Sequence, residues 1–307
     1  MLIDFYGNIL TTSTGLARDN YDIGARAFLS ANYGAQEAFS QAVEADPNFA
    51  LAYIGLVRSF MSSGQIIEAK SALEAAKNVL DQVTDREKSH FLCCELILSG
   101  ATNKAREAVY KHVSEWPRDA MIAQMNTSVF GLIGFSGRVG REIDLLEYTK
   151  KLLPHYDDDW WMLSMHAISL CETGQTLEAM HLMEKSLSLN SRNANAAHFF
   201  AHILYEENEI KAGREYLNAW MPNYDRRSLL HGHLSWHQAL WALHAGDEQS
   251  MWEIIDASVS QESGTSLPIN ALTDTCLLYT SDAADDSLPL DLGGRRIIKK
   301  KGGGGGG

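Results

Sequence analysis

Gly34-Ala-Gln-Glu-Ala38-Phe39-Ser-Gln-Ala42-Val-Glu-Ala-Asp46-Pro47 is the stretch whose reading decides the fold. It opens on a glycine, the residue that turns a chain sharply through left-handed backbone at no steric cost. Ala38 and Ala42 follow at four-residue spacing, so they share one face of a helix and let a second helix approach closely. Asp46-Pro47 ends the segment, because proline has no amide hydrogen to continue the helix. The unit reads turn, helix with a small-residue face, stop.

The same device recurs along the chain. Turn residues fall at Gly34, Gly64, Gly100, Gly137, Gly174, Asn208 and Gly246, spaced by 30, 36, 37, 37, 34 and 38 residues. Gly64 is followed by Ala69, Leu73 and Ala76; Gly100 by Ala105, Ala108 and Trp116-Pro117; Gly174 by Ala179, Met183 and Leu187. Amphipathic helical segments flank each turn, and a helix-turn-helix unit at this period marks a tetratricopeptide-like array. The chain is therefore predicted to be all-α, a tetratricopeptide-like α-solenoid of about seven helical hairpins in a right-handed superhelix. The fourth and sixth units depart most from the pattern. No alternating run of β-branched residues predicts a strand, and Asp157-Asp158-Asp159 supplies a helix cap ahead of Trp160.

Composition narrows the function classes. Of 307 residues, 45% are apolar and only 6 are Pro, enough for a packed core. The net charge of −13 argues against a nucleic-acid or anionic-membrane surface, which needs clustered Lys and Arg. Met1-Leu2-Ile3-Asp4-Phe5 has no basic residue ahead of a hydrophobic run, and the longest apolar stretch, Phe91 to Leu98, is short and holds Glu95. Four Cys without CxxC spacing form neither a disulfide framework nor a zinc motif. A cytoplasmic protein without a membrane segment is expected.

The end of the chain reads differently. Cys276-Leu-Leu-Tyr-Thr-Ser-Asp-Ala-Ala-Asp-Asp286 and Asp291-Leu-Gly-Gly-Arg-Arg-Ile-Ile-Lys-Lys300 resemble a translated sequencing adapter, and six glycines follow. The expected organisation is a repeat domain over 1–260, the last native-reading residues at 261–275, and a non-native, disordered tail at 276–307. Removing the tail takes away five cationic and four acidic residues, which moves the net charge from −13 to −14.

Histidines carry the chemistry. Eleven are present, seven of them between residues 155 and 233. In a solenoid the first helices of successive units line the concave face. Trp160, Trp161 and His166 fall on the first helix of the fifth unit. His198, His202 and Glu206 form an i, i+4, i+8 series on that of the sixth, and His233, Trp236 and His237 fall on that of the seventh. These nine are the candidate ligand-binding residues of the groove. No catalytic residue and no cofactor is assigned, and enzymatic activity is left open. The alternative is a metal-dependent or His-based enzyme in which His198, His202, Glu206, His233 and His237 hold zinc or another transition metal. His198-Phe-Phe-Ala-His202 lacks the Glu of the HExxH zinc motif. The glycine-rich stretch Gly131 to Arg141 offers Arg138 and Arg141 to an anion but matches no phosphate-loop spacing; a tight turn explains it better. Cys93, Cys94 and Cys171 sit in apolar helical patterns and read as core residues.

Several segments resemble the tetratricopeptide repeat protein 38 family: Asp46-Pro47-Asn-Phe-Ala50, Arg86-Glu-Lys-Ser-His90, Glu115-Trp-Pro-Arg-Asp119, Phe130-Gly-Leu-Ile-Gly134, Asp158-Asp-Trp-Trp161, Ala197-His198 through His202, and His233-Leu-Ser-Trp-His237. The resemblance spans about Asn20 to Trp252 and implies a superhelical repeat protein; it brings no reaction with it. The expected function is a scaffold that binds a peptide or protein in its concave groove, with no nucleic-acid or membrane partner.

Overall fold

The computed structural model describes residues 2–260 and 270–276. Among them, fourteen α-helices pair into seven antiparallel hairpins, and residues 270–276 form a further short helix. The first pairs α1 (Gly15–Leu29) with α2 (Ala35–Ala45), the second α3 (Ala50–Ser62) with α4 (Ile66–Lys77), the third α5 (Asp85–Leu98) with α6 (Thr102–Glu115). The fourth joins a four-residue α7 (Ala120–Ala123) to α8 (Arg141–Leu152). Then come α9 (Trp160–Glu172) with α10 (Thr176–Leu189), α11 (Ala194–Glu206) with α12 (Ile210–Trp220), and α13 (His231–His244) with α14 (Glu248–Ile254). The architecture is an all-α, tetratricopeptide-like solenoid.

All seven turn residues lie in left-handed backbone, from φ 60° at Asn208 to 103° at Gly34. Asn tolerates this region better than other residues with a β-carbon. The sixth hairpin, expected to deviate, is therefore regular. The fourth does deviate: α7 stops after one turn, and short 3-10 turns at Gln124–Asn126 and Gly134–Ser136 carry the chain to α8. The small residues do the packing expected of them, with Ala42, Ala69, Ala76, Ala105 and Ala179 fully buried. Phe39 is clamped between two first helices: a methyl group on Gly24 would lie 2.8 Å from its ring and one on Gly55 2.4 Å. Asp159 caps α9 by accepting the amides of Trp161 and Met162.

A short hairpin of two-residue strands, β1 (Leu2–Ile3) and β2 (Ile9–Leu10), precedes the helices. Two residues per strand are too few for any period to register in sequence. The hairpin and the residue after it lie against the N-terminal ends of α5 and α7. Arg118 Nε donates to the Tyr6 carbonyl, Arg86 Nη2 to that of Ile9, and the Thr11 amide donates to Glu87 at 2.9 Å. The solenoid also meets itself. The Ala194 amide donates to the Ser30 carbonyl, Asn195 donates to that of Leu29, and Tyr224 Oη to that of Ala31. The first helices thus pack inward: α9 is buried at every position from Trp160 to Cys171. The inner side of the solenoid at α9 is core, where an open groove was expected.

No described helix is long and apolar enough to cross a membrane. The adapter-like reading falls on residues of which all but Cys276 lie outside the described ones.

Candidate functional site

Consecutive first helices stand side by side, and the sequence places a His-x-x-x-His pair on two of them at matching heights. His198 and His202 lie one turn apart on α11, and His233 and His237 one turn apart on α13. His233 follows His198, and His237 follows His202, by the same 35 residues, so the repeat itself sets the two pairs against each other.

The four rings meet. One ligand nitrogen from each of the four lies within 4.8 Å of the other three. His198 is the hub, with its Nε2 2.9 Å from His202 Nε2 and 3.0 Å from His233 Nε2. The His237 ring centroid is 4.7 Å from that of His202 and 4.9 Å from that of His233. His198 and His237 are buried, and His202 and His233 are half-buried. Trp236 stacks on His233 with ring planes 12° apart. On the outer side of His233, Nδ1 faces both oxygens of Asp274, at 3.1 and 3.0 Å.

Burial, reinforced by neighbouring imidazoles, holds His198 and His237 well below their ordinary pKa and takes His202 down to about 4. At neutral pH these rings present lone pairs. The nitrogens are not satisfied by one another, since an imidazole Nε2 carries either one hydrogen or one lone pair and His198 has two neighbours to serve. His237 Nε2 is buried with no hydrogen-bond partner among the described residues. A divalent cation at the centre would give every one of these nitrogens a partner. Zinc–nitrogen bonds of ~2.0–2.1 Å put tetrahedral ligands about 3.4 Å apart. The hub contacts are a few tenths of an ångström inside that spacing and the widest pair must draw in, adjustments within reach of imidazole rotations.

The other candidate residues are placed differently. Glu206 is exposed and is not among the converging side chains. Eight residues of helix rotate it about 80° from His198, off the face that His202 still shares. Trp161 is fully buried with its ring against Tyr156, 5.6 Å between centroids, and Trp160 and Trp236 are buried too. His166 lies in the core, its Nδ1 2.9 Å from Thr149 Oγ1. All four are thus buried side chains, and of them only Trp236 touches the converging histidines. Arg138 and Arg141 face Asp144 and Glu142 rather than an open anion site. Cys93 and Cys94 are buried, and burial pushes their thiols up to about 12 and about 11, as core cysteines require.

Two constellations escaped the sequence. One is Asp274, far from the His pairs in the chain and without a motif. The other is a buried hub in which Asp119 Oδ2 receives Arg86 Nη1 at 2.5 Å and His90 Nδ1 and His112 Nε2 at 3.2 Å each. It joins α5, α6 and the entrance of α7, and Arg86 extends it to the N-terminal hairpin.

No family model matches the chain. Similar solved structures include YrrB, described as a TPR protein with an unusual peptide-binding site, at 13% identity over 81% of this chain and 100% of that one, TM-score 0.34. PilW, described as a type IV pilus biogenesis factor, is similar at 12% identity over 80% of this chain and 92% of that one, TM-score 0.34. The TPR domain of P58(IPK) is similar at 11% identity over 87% and 89%, TM-score 0.27.

Proposed function

We propose that this chain is a helical-repeat protein that holds a divalent transition-metal ion, of the zinc class, between α11 and α13 on His198, His202, His233 and His237. The observation that carries the reading is the convergence of four imidazoles, each offering one nitrogen within 4.8 Å of the others, with His237 Nε2 buried and without a hydrogen-bond partner among the described residues. An all-imidazole set suits zinc, copper or nickel and is a poor match for magnesium or calcium, which take oxygen ligands. Elemental analysis of purified protein tests it, together with zinc titration of chelator-treated protein. About one ion per chain, and a rise in thermal midpoint on adding zinc, are the expected results. Protein that takes up no zinc, nickel or copper, with an unmoved midpoint, refutes the reading.

A polypeptide partner is the second reading, and its support is an apolar surface on the irregular fourth hairpin. Phe130 and Phe135 are 58% and 72% exposed with rings 5.7 Å apart, and Val139 and Ile143 are exposed nearby. Exposed apolar clusters of this kind favour protein contacts over solvent. Equal recovery of a partner by wild type and by Phe130→Ser with Phe135→Ser would count against it. Kinship with the tetratricopeptide repeat protein 38 family rests on the quoted segments, the two His pairs above all.

A further inference from the structure

The carboxylate beside the histidine cluster is not one of the ligands that the His-x-x-x-His spacing suggests. Asp274 belongs to the helical residues 270–276, just ahead of the adapter-like segment, and is 5% exposed. Both its oxygens are within 3.1 Å of His233 Nδ1. A carboxylate only accepts hydrogen bonds, so this contact places a hydrogen of His233 on Nδ1. Nε2 is then the nitrogen left to ligate an ion, and it is the atom that faces His198 at 3.0 Å. The Asp274 contact therefore selects the tautomer that can bind a metal and turns the lone pair inward. Trp236, stacked on the same ring with planes 12° apart, fixes the plane of His233.

Resting on the metal reading above, we infer that Asp274 is a positioning residue of the metal centre: it accepts from His233 Nδ1, fixes the ring and raises its basicity toward the ion. Carboxylate–histidine–metal relays of this form typically contribute 10–100-fold to metal affinity. The segment 270–276 is thereby part of the site, though it supplies no ligand.

The test compares full-length wild type, Asp274→Asn and Asp274→Glu. Zinc affinity is measured by competition with a chromophoric chelator, the visible absorption of bound Co²⁺ reports ligand geometry, and thermal midpoints are taken without metal. Asp274→Asn is expected to bind zinc about 10–100-fold more weakly and to alter the Co²⁺ spectrum. Its metal-free midpoint stays that of the wild type, and Asp274→Glu recovers part of the affinity. Wild-type affinity and spectrum in Asp274→Asn overturn the inference and leave the metal centre standing. A lowered metal-free midpoint with unchanged affinity assigns Asp274 a purely structural role and overturns it equally. Wild type that binds neither zinc nor cobalt removes the metal reading itself, and this inference with it.

Discussion

Replacing Asp119 with Ala tests what holds the solenoid to its N-terminal hairpin. Asp119, Arg86, His90 and His112 are all buried, with Asp119 at 2% exposure. Burial opposes ionisation of Asp119, yet His90, Arg86 and His112 outweigh it and keep the carboxyl well below its usual range. Without the carboxylate, the Arg86 guanidinium keeps the Ile9 carbonyl at 2.9 Å but no counter-charge in hydrogen-bond contact. His112 keeps Ser89 Oγ at 2.9 Å, whereas His90 loses the partner on Nδ1. Breaking a buried ion pair from one side costs about 3–5 kcal/mol, and an orphaned buried donor adds about 1 kcal/mol or more. About 4–6 kcal/mol is expected in total. For a chain of this size each kcal/mol moves the midpoint by about 2–4 °C, so a fall on the order of 10–20 °C should appear in a circular-dichroism melt. Arg86→Met combined with Asp119→Leu should recover much of it, since paired apolar replacement removes both charges at once. A single Asp119→Ala variant melting within about 2 °C of wild type would refute the assignment of this hub as a stabilising centre.

Three further outcomes follow from the geometry. Gly55→Ala places a methyl group 2.4 Å from the Phe39 ring, which Gly24 of α1 also approaches closely; a loss of about 1–3 kcal/mol in denaturant unfolding is expected. His198, His202 and His237 are depressed in the fold, so the unfolded chain binds protons first; metal-free protein should hold its stability above about pH 6.5 and lose it as the pH falls toward about 4, read as melts across that range. A midpoint flat from pH 7 to 4 would contradict the burial of these rings as neutral imidazoles. Glu206→Ala should leave zinc stoichiometry intact and His202→Ala should abolish or sharply weaken it, both by elemental analysis after dialysis.

The repeat was legible because one residue type does one job at each turn: only residues tolerant of left-handed backbone fit there, and all seven turn positions could be read directly from Gly or Asn. The His pairs were legible for a related reason, since a four-residue interval and a 35-residue period are both local arithmetic. What sequence could not supply was the closure of the solenoid. Tyr224 meeting Ala31 and Asn195 meeting Leu29 are contacts across more than 160 residues, and they turn the expected groove residues Trp160, Trp161 and His166 into core. Asp274 was hidden likewise, because a lone aspartate at 41 residues from His233 has no spacing to betray it. The consequence is physical as well as interpretive. A repeat array places like residues at like heights on neighbouring helices, so an i, i+4 pair that recurs one period later becomes a four-sided cluster without any further design. The same regularity cannot place a fifth, asymmetric group; that has to come from outside the array, and here residues 270–276 bring it.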